Sequence, residues 1–65
     1  MEIFYAVWHN AGSGNGEVRT YTTGAPQVGD YRGPMGRAVL VTTDAELAHD
    51  ALDRLNVRAW SKVAE

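Results

Sequence analysis

The chain has 65 residues, a formal net charge of −2 and no cysteine. A domain of this length buries only about 60% of the surface that its unfolded chain exposes, which makes its stability marginal. The lack of cysteine excludes disulfide bonds and thiolate metal sites, and the slightly acidic charge excludes the basic excess that is typical of proteins binding a nucleic-acid backbone. We expect one compact domain over residues 1–65.

The first predicted element is a β-strand over residues 3–9, IFYAVWH, which are mostly β-branched or aromatic. Both faces of this segment are largely apolar, which favours a central place in a sheet over an edge. The segment is too short to cross a membrane, and the acid at position 2 is unlike the basic start of a signal peptide. We therefore expect a soluble, cytoplasmic protein that makes no membrane contact.

A glycine-rich loop follows, with the sequence GSGNG over residues 12–16. A phosphate-binding loop leads into a helix and usually ends in a lysine beside a serine or threonine, whereas this loop leads into EVRTYTT, which is typical of a strand. The pattern predicts a hairpin in which the glycines supply positive φ angles. The second strand is predicted over residues 17–23, nearer an edge of the sheet because it is more polar.

The region after the second strand is dominated by residues that interrupt regular structure. Residues 24–36 contain four glycines and both prolines, which predicts a long irregular connection. A short β-branched run over residues 37–42 predicts the third strand. Apolar residues alternate again over residues 57–63, which predicts the last strand.

A helix is predicted between the last two strands. Residues 43–46, TDAE, have the form of a capping box, in which the Thr43 hydroxyl and the Glu46 carboxylate each satisfy a backbone N–H group of the first turn. The apolar residues after this point recur at helical spacing as far as Leu55, and Asn56 is a suitable left-handed stop.

These elements follow the order β-β-β-α-β. We expect an α+β fold with a three- to four-stranded, mainly antiparallel sheet and one helix packed on one face. The other face of the sheet would be exposed. If the strands before and after the helix lie in the same sheet, they are parallel and their crossover is right-handed.

Acidic residues are concentrated on the predicted helix. Residues 44–53 contain four acids and no lysine or arginine, a local charge of −4: Asp44, Glu46, Asp50 and Asp53. At 100° per residue, Glu46, Asp50 and Asp53 lie within an arc of about 60° and form what we call the acidic ridge. The ridge is either a solvated face that the helix macrodipole favours, or a contact surface for a basic partner. Trp60 is a further candidate interface residue.

No arrangement of residues in the chain predicts a catalytic or metal site. His49 lies beside the acidic ridge and could join its carboxylates as a metal ligand. A single helix, however, leaves the other coordination positions of such a metal to water, whereas carboxylate metal sites draw their ligands from several helices. We therefore expect no metal, no cofactor and no enzymatic activity.

Two alternatives remain open at this point. One is a small nucleic-acid-binding module that uses Arg19, Arg32 and Arg37 together with aromatic residues of the sheet. The other is a small ribonuclease, in which His9 near the hairpin would act with Glu17 and Arg19. Salt-sensitive binding to DNA or RNA would favour the first alternative, and RNA cleavage that depends on His9 would favour the second.

A small, cysteine-free, mildly acidic chain with one acidic helix and no catalytic set resembles the phage-encoded anti-CRISPR proteins. The resemblance extends over the whole chain and lies in overall character, and the modest total charge departs from strongly acidic DNA mimics. It implies inhibition by stoichiometric binding, commonly to a subunit of the CRISPR surveillance complex at a surface meant for nucleic acid. We expect a monomer or weak homodimer that binds no nucleic acid and contacts a basic protein surface through Asp44, Glu46, Asp50, Asp53 and Trp60.

Overall fold

The protein was analysed as a computed structural model that describes residues 2–55 and the backbone of residues 59–62. In chain order the elements are β1 Phe4–Asn10, β2 Asn15–Tyr21, a short 3-10 helix Gly33–Met35, β3 Arg37–Thr42, α1 Ala45–Arg54 and β4 Ala59–Lys62. The four strands form one sheet in the order β3-β1-β2-β4. The predicted α+β fold, with a sheet and one helix packed on it, is confirmed.

The pairing of the strands gives the sheet its mixed character. Strand β1 is antiparallel to both β2 and β3, whereas β4 is parallel to β2. Strands β3 and β4, which precede and follow α1, therefore run in the same direction, as predicted for strands that share a sheet. The central place predicted for the first strand is also confirmed, since β1 is hydrogen-bonded on both sides. The place nearer an edge predicted for the second strand is wrong, because β2 lies between β1 and β4.

Helix α1 covers one face of the sheet, which we call the helix face. Val7 of β1 and Val18 of β2 pack against Ala48 and Leu52 of α1, and all four side chains are buried. Tyr5 and other partly buried apolar residues extend this cluster. Burial of apolar surface at about 25 cal/mol per Å² holds α1 on the sheet, because a helix of ten residues has little stability in isolation.

The opposite face, which we call the second face, is also covered, so the expectation of an exposed face is wrong. Trp8 is 0% exposed and forms a second buried cluster with Ala6 and Ala38. Met35 from the connection between β2 and β3 packs against this cluster, and the guanidinium carbon of Arg32 lies 5.6 Å from the centre of the Trp8 ring. The connection folds back because an indole offers a large apolar area to cover.

The start of α1 differs by one residue from the predicted capping box. Asp44 is the N-cap in an extended conformation, and its carboxylate accepts hydrogen bonds from the backbone N–H groups of Glu46 at 3.0 Å and Leu47 at 3.2 Å. The Asp44 N–H in turn donates to Thr42 Oγ1 at 3.0 Å. The predicted cap at Thr43 is therefore wrong: an ionised carboxylate at the helix start gains from the macrodipole, which a hydroxyl does not.

Asp44→Ala is expected to lower the free energy of unfolding by about 1 kcal/mol, since two N–H groups lose their acceptor. Asp44→Asn should retain most of the stability, because asparagine caps a helix about as well as aspartate. Urea denaturation of these variants and of Thr43→Ala provides the measurement. A larger loss of unfolding free energy for Thr43→Ala than for Asp44→Ala would support the predicted capping box and contradict the cap at Asp44.

Candidate functional site

The acidic ridge lies on the exposed side of α1. Glu46, Asp50 and Asp53 are all exposed, because Ala48 and Leu52 turn the opposite side of the helix towards the sheet. Asp50 Oδ2 lies 3.8 Å from Arg54 Nη2, an exposed pair that contributes little to stability. Within the described residues Glu46 and Asp53 make no ion pair. The three predicted ridge residues thus share one surface, and of the three only Asp50 has a cationic partner among the described residues.

Two other predicted binding residues have a different status. One carboxylate oxygen of Asp44 is occupied by the helix cap, so Asp44 orders the start of α1 and offers a partner only the rest of its carboxylate. Trp60 belongs to β4, where its backbone is in register with Gly16 of β2. The Trp60 side chain lies outside the described part of the structure, and its role at an interface stays a prediction.

An apolar groove runs between α1 and the edge strand β3, beside the acidic ridge. Its volume is about 310 Å³, and it is lined by Val39, Leu40, Leu47, Asp50, Ala51, Arg54 and Leu55. Leu47 is 49% exposed and Val39 is 39% exposed, so two large apolar side chains meet solvent here. An apolar centre with charged residues at its rim is the usual anatomy of a protein–protein interface.

The groove was not predicted because it depends on a β-bulge. Val7 of β1 pairs with Leu40, whereas the next residue, Trp8, pairs with Ala38, which leaves Val39 without a partner on β1. A bulge of this kind redirects a side chain without changing the sequence pattern. The one signal in the sequence is Leu47, which lies at the margin of the apolar arc of α1 and not at its centre.

The residues of the ribonuclease alternative do not come together. His9 follows Trp8 on β1, so its side chain is on the opposite face from Trp8. Glu17 pairs with Trp8 and shares the second face, where its carboxylate bonds to Arg19 Nε. This hydrogen bond and the charge of Glu17 raise the pKa of Arg19 above its ordinary value. The acid and the arginine bind each other on a face that His9 does not share.

The residues of the nucleic-acid alternative are likewise divided between two faces. Arg19 pairs with Ala6 and belongs to the second face, as does Arg32 over the Trp8 ring, whereas Arg37 pairs with His9. Stacking of bases requires exposed aromatic faces, and Trp8 is fully buried. The described structure therefore contains no continuous platform of arginines and aromatic residues on the sheet.

Across the residues that the structure describes, no three His, Asp or Glu side chains are grouped closely enough to hold a metal ion. The helix of this same part of the chain is also too short to cross a membrane. Comparisons with protein-family profiles, with curated protein sequences and with solved structures find no match to this chain.

Proposed function

We propose that this protein is a non-enzymatic inhibitor that binds a basic surface of a protein partner through α1. The observation that supports the proposal is the position of the exposed acidic ridge, Glu46, Asp50 and Asp53, directly beside an apolar groove. Acidic side chains keep a helix face solvated, but the exposed Leu47 and Val39 side chains beside them do not contribute to that solvation. The combination favours a contact surface over a face that only meets water.

The ridge and the groove supply different parts of a binding free energy. Apolar side chains that enter the groove around Leu47 would provide affinity, because they leave water. The charges of Glu46 and Asp53 would accelerate association with a cationic surface and repel anionic ones. Asp50 lines the groove itself and is paired with Arg54 only at 3.8 Å, so it can exchange this cation for one from the partner.

The resemblance to anti-CRISPR proteins supplies the proposed class of partner. A subunit of a CRISPR surveillance complex carries basic surfaces that hold the phosphates of nucleic acid, and an acidic ridge that occupies such a surface excludes the nucleic acid by competition. Under this proposal the protein inhibits by stoichiometric binding in the cytoplasm of the host cell. It needs neither a cofactor nor a bond-breaking step.

The proposal is tested with Glu46→Lys, Asp50→Lys and Asp53→Lys combined in one variant. The unmodified protein, at a stoichiometric amount, is expected to block target-DNA binding by at least one purified CRISPR surveillance complex in a panel of types. The triple variant should bind that complex about 100-fold more weakly or worse, because like charges placed opposite each other cost several kcal/mol and each 1.4 kcal/mol is tenfold. Binding is measured by surface plasmon resonance at two salt concentrations.

A matched pair of single variants separates the ridge from the overall charge. Asp53→Lys and Glu2→Lys each reverse one exposed acid, and only the first lies on α1. Asp53→Lys should weaken binding and slow association, whereas Glu2→Lys should leave both unchanged. Equal affinity of the triple variant and the unmodified protein would rule out the ridge as the contact, and no inhibition across the panel would rule out the CRISPR surveillance complex as the partner.

A further inference from the structure

A second concave site lies where the β1–β2 hairpin meets the start of β3, and we call it the hairpin cleft. Its volume is about 560 Å³, within the range of small-molecule sites. It is lined by His9, Asn10, Ala11, Gly12, Tyr31, Gly36, Arg37 and Val39. It is separate from the acidic ridge, none of whose residues line it.

The charge of the hairpin cleft is opposite to that of the acidic ridge. Arg37 is exposed and makes no ion pair with any residue that the structure describes, and no carboxylate lines the cleft. Asp30, which precedes Tyr31, accepts a hydrogen bond from the Gln27 N–H through its carboxylate, and Glu17 is bonded to Arg19 on the second face. The guanidinium of Arg37 is therefore available to an anion from solution.

The walls of the cleft are held in place by hydrogen bonds. Asn10 Oδ1 accepts from the N–H groups of Gly12 at 3.0 Å and Ser13 at 3.2 Å, and Asn10 Nδ2 donates to the Pro34 carbonyl oxygen at 3.2 Å. One side chain thus fixes the hairpin loop and ties it to the 3-10 helix. The site is formed before a ligand binds, so the protein loses less conformational entropy on binding.

The floor and the outer wall of the cleft are also constrained. Gly36 has a φ of 84°, and a Cβ at this position would lie 2.2 Å from the His9 carbonyl oxygen, so the backbone approaches β1 more closely than any side chain permits. Tyr31 forms a β-bridge with Arg37 and is 68% exposed. Its backbone is fixed beside the cation while its ring remains available as an aromatic wall.

We infer that the hairpin cleft binds a small molecule that joins an oxyanion to a planar ring. The guanidinium fork of Arg37 matches the geometry of a carboxylate or phosphate group, and the His9 imidazole and the Tyr31 hydroxyl supply further donors. The Tyr31 ring and Val39 supply the apolar surface on which a planar group stacks. Carboxylate and phosphate share this chemistry, so the experiment distinguishes them.

The inference is tested by NMR titration of the protein with phenyl phosphate, benzoate and inorganic phosphate in separate experiments. Saturable shifts are expected at the amides of residues 9–12, 31 and 37, with a dissociation constant of about 1 mM, as is ordinary for a fragment of this size. Phenyl phosphate should bind more tightly than inorganic phosphate if the ring stacks on Tyr31. The relative affinity of benzoate and phenyl phosphate identifies which oxyanion the cleft prefers.

Arg37→Gln should weaken binding of the preferred probe at least tenfold, because the guanidinium is lost while a polar side chain of similar reach remains. Arg54→Gln is the matched control: it also removes an exposed arginine, but one that lies on α1, and it should leave the affinity unchanged. Equal losses in both variants, shifts that map to α1, or no saturation by 10 mM, roughly ten times the expected dissociation constant, would each overturn the inference.

Discussion

Gly36→Ala is expected to abolish cooperative folding at 25 °C. An alanine Cβ at position 36 would lie 2.2 Å from the His9 carbonyl oxygen, 2.5 Å from its carbon and 2.6 Å from Asn10 Cα. All three are backbone atoms of β1, the central strand, so no rotamer change relieves the clash. A domain of this size has a total stability of only about 3 to 5 kcal/mol. Displacement of its central strand is expected to cost more free energy than this.

Circular dichroism and urea denaturation measure this effect, with Gly24→Ala as the matched control. Gly24 also has a positive φ, 66°, but an added Cβ there meets nothing within 4 Å. Gly24→Ala therefore adds only the backbone strain of the left-handed region, about 1 to 2 kcal/mol, and should leave a folded protein. If both variants unfold at the same urea concentration, the close approach of Gly36 to β1 is incorrect.

The parts of the fold that could be predicted from the sequence are those that depend on local pattern. The third strand was predicted over residues 37–42 and is observed as Arg37–Thr42. Its β-branched residues lie between a glycine and a helix cap, so both boundaries are encoded nearby. The order β-β-β-α and the antiparallel hairpin were predictable for the same reason: alternation, helical periodicity and turn residues are all short-range signals.

The hairpin shows where local pattern was insufficient. The second strand was predicted to start at residue 17, but β2 begins at Asn15, opposite Asn10. The Asn10 side chain closes the loop by accepting hydrogen bonds from the N–H groups of Gly12 and Ser13. The loop is therefore shorter than its run of glycines predicts. Gly14 has a positive φ, whereas Gly16 is an ordinary strand residue that pairs with His9. The prediction that the glycines supply positive φ angles holds for Gly14 and is wrong for Gly12 and Gly16.

The candidate functional surfaces also include one that could be predicted from local pattern and two that could not. Exposure of Glu46, Asp50 and Asp53 follows from helical periodicity alone, so the acidic ridge could be predicted. The apolar groove and the hairpin cleft could not be predicted, because each depends on a contact with a distant segment, although the groove itself lies between the consecutive elements β3 and α1. The hairpin cleft, for example, requires Asn10 to reach Pro34, and the groove requires the bulge at Val39. Neither contact has a signature in residue type or spacing.

The second large effect is expected at Trp8, the largest fully buried side chain. Trp8→Ala should lower the free energy of unfolding by about 3 to 5 kcal/mol, through lost apolar burial and the cavity that remains. This loss is comparable with the whole stability of the domain, so the variant should be largely unfolded. Trp8 also organises the second face, since Met35 packs against its cluster and Arg32 lies over its ring.

Trp8→Phe keeps the interpretation testable when the alanine variant fails to fold. Trp8 Nε1 has no hydrogen-bond acceptor within the described residues, and a buried donor without an acceptor costs about 1 to 3 kcal/mol. Phenylalanine loses part of the ring area but also removes this donor, so the two effects offset each other. Chemical denaturation should show that Trp8→Phe stays folded and loses less than about 2 kcal/mol, below the range expected for Trp8→Ala. A loss of about 3 kcal/mol or more would mean that the indole N–H is satisfied in solution and stabilises the cover on the second face.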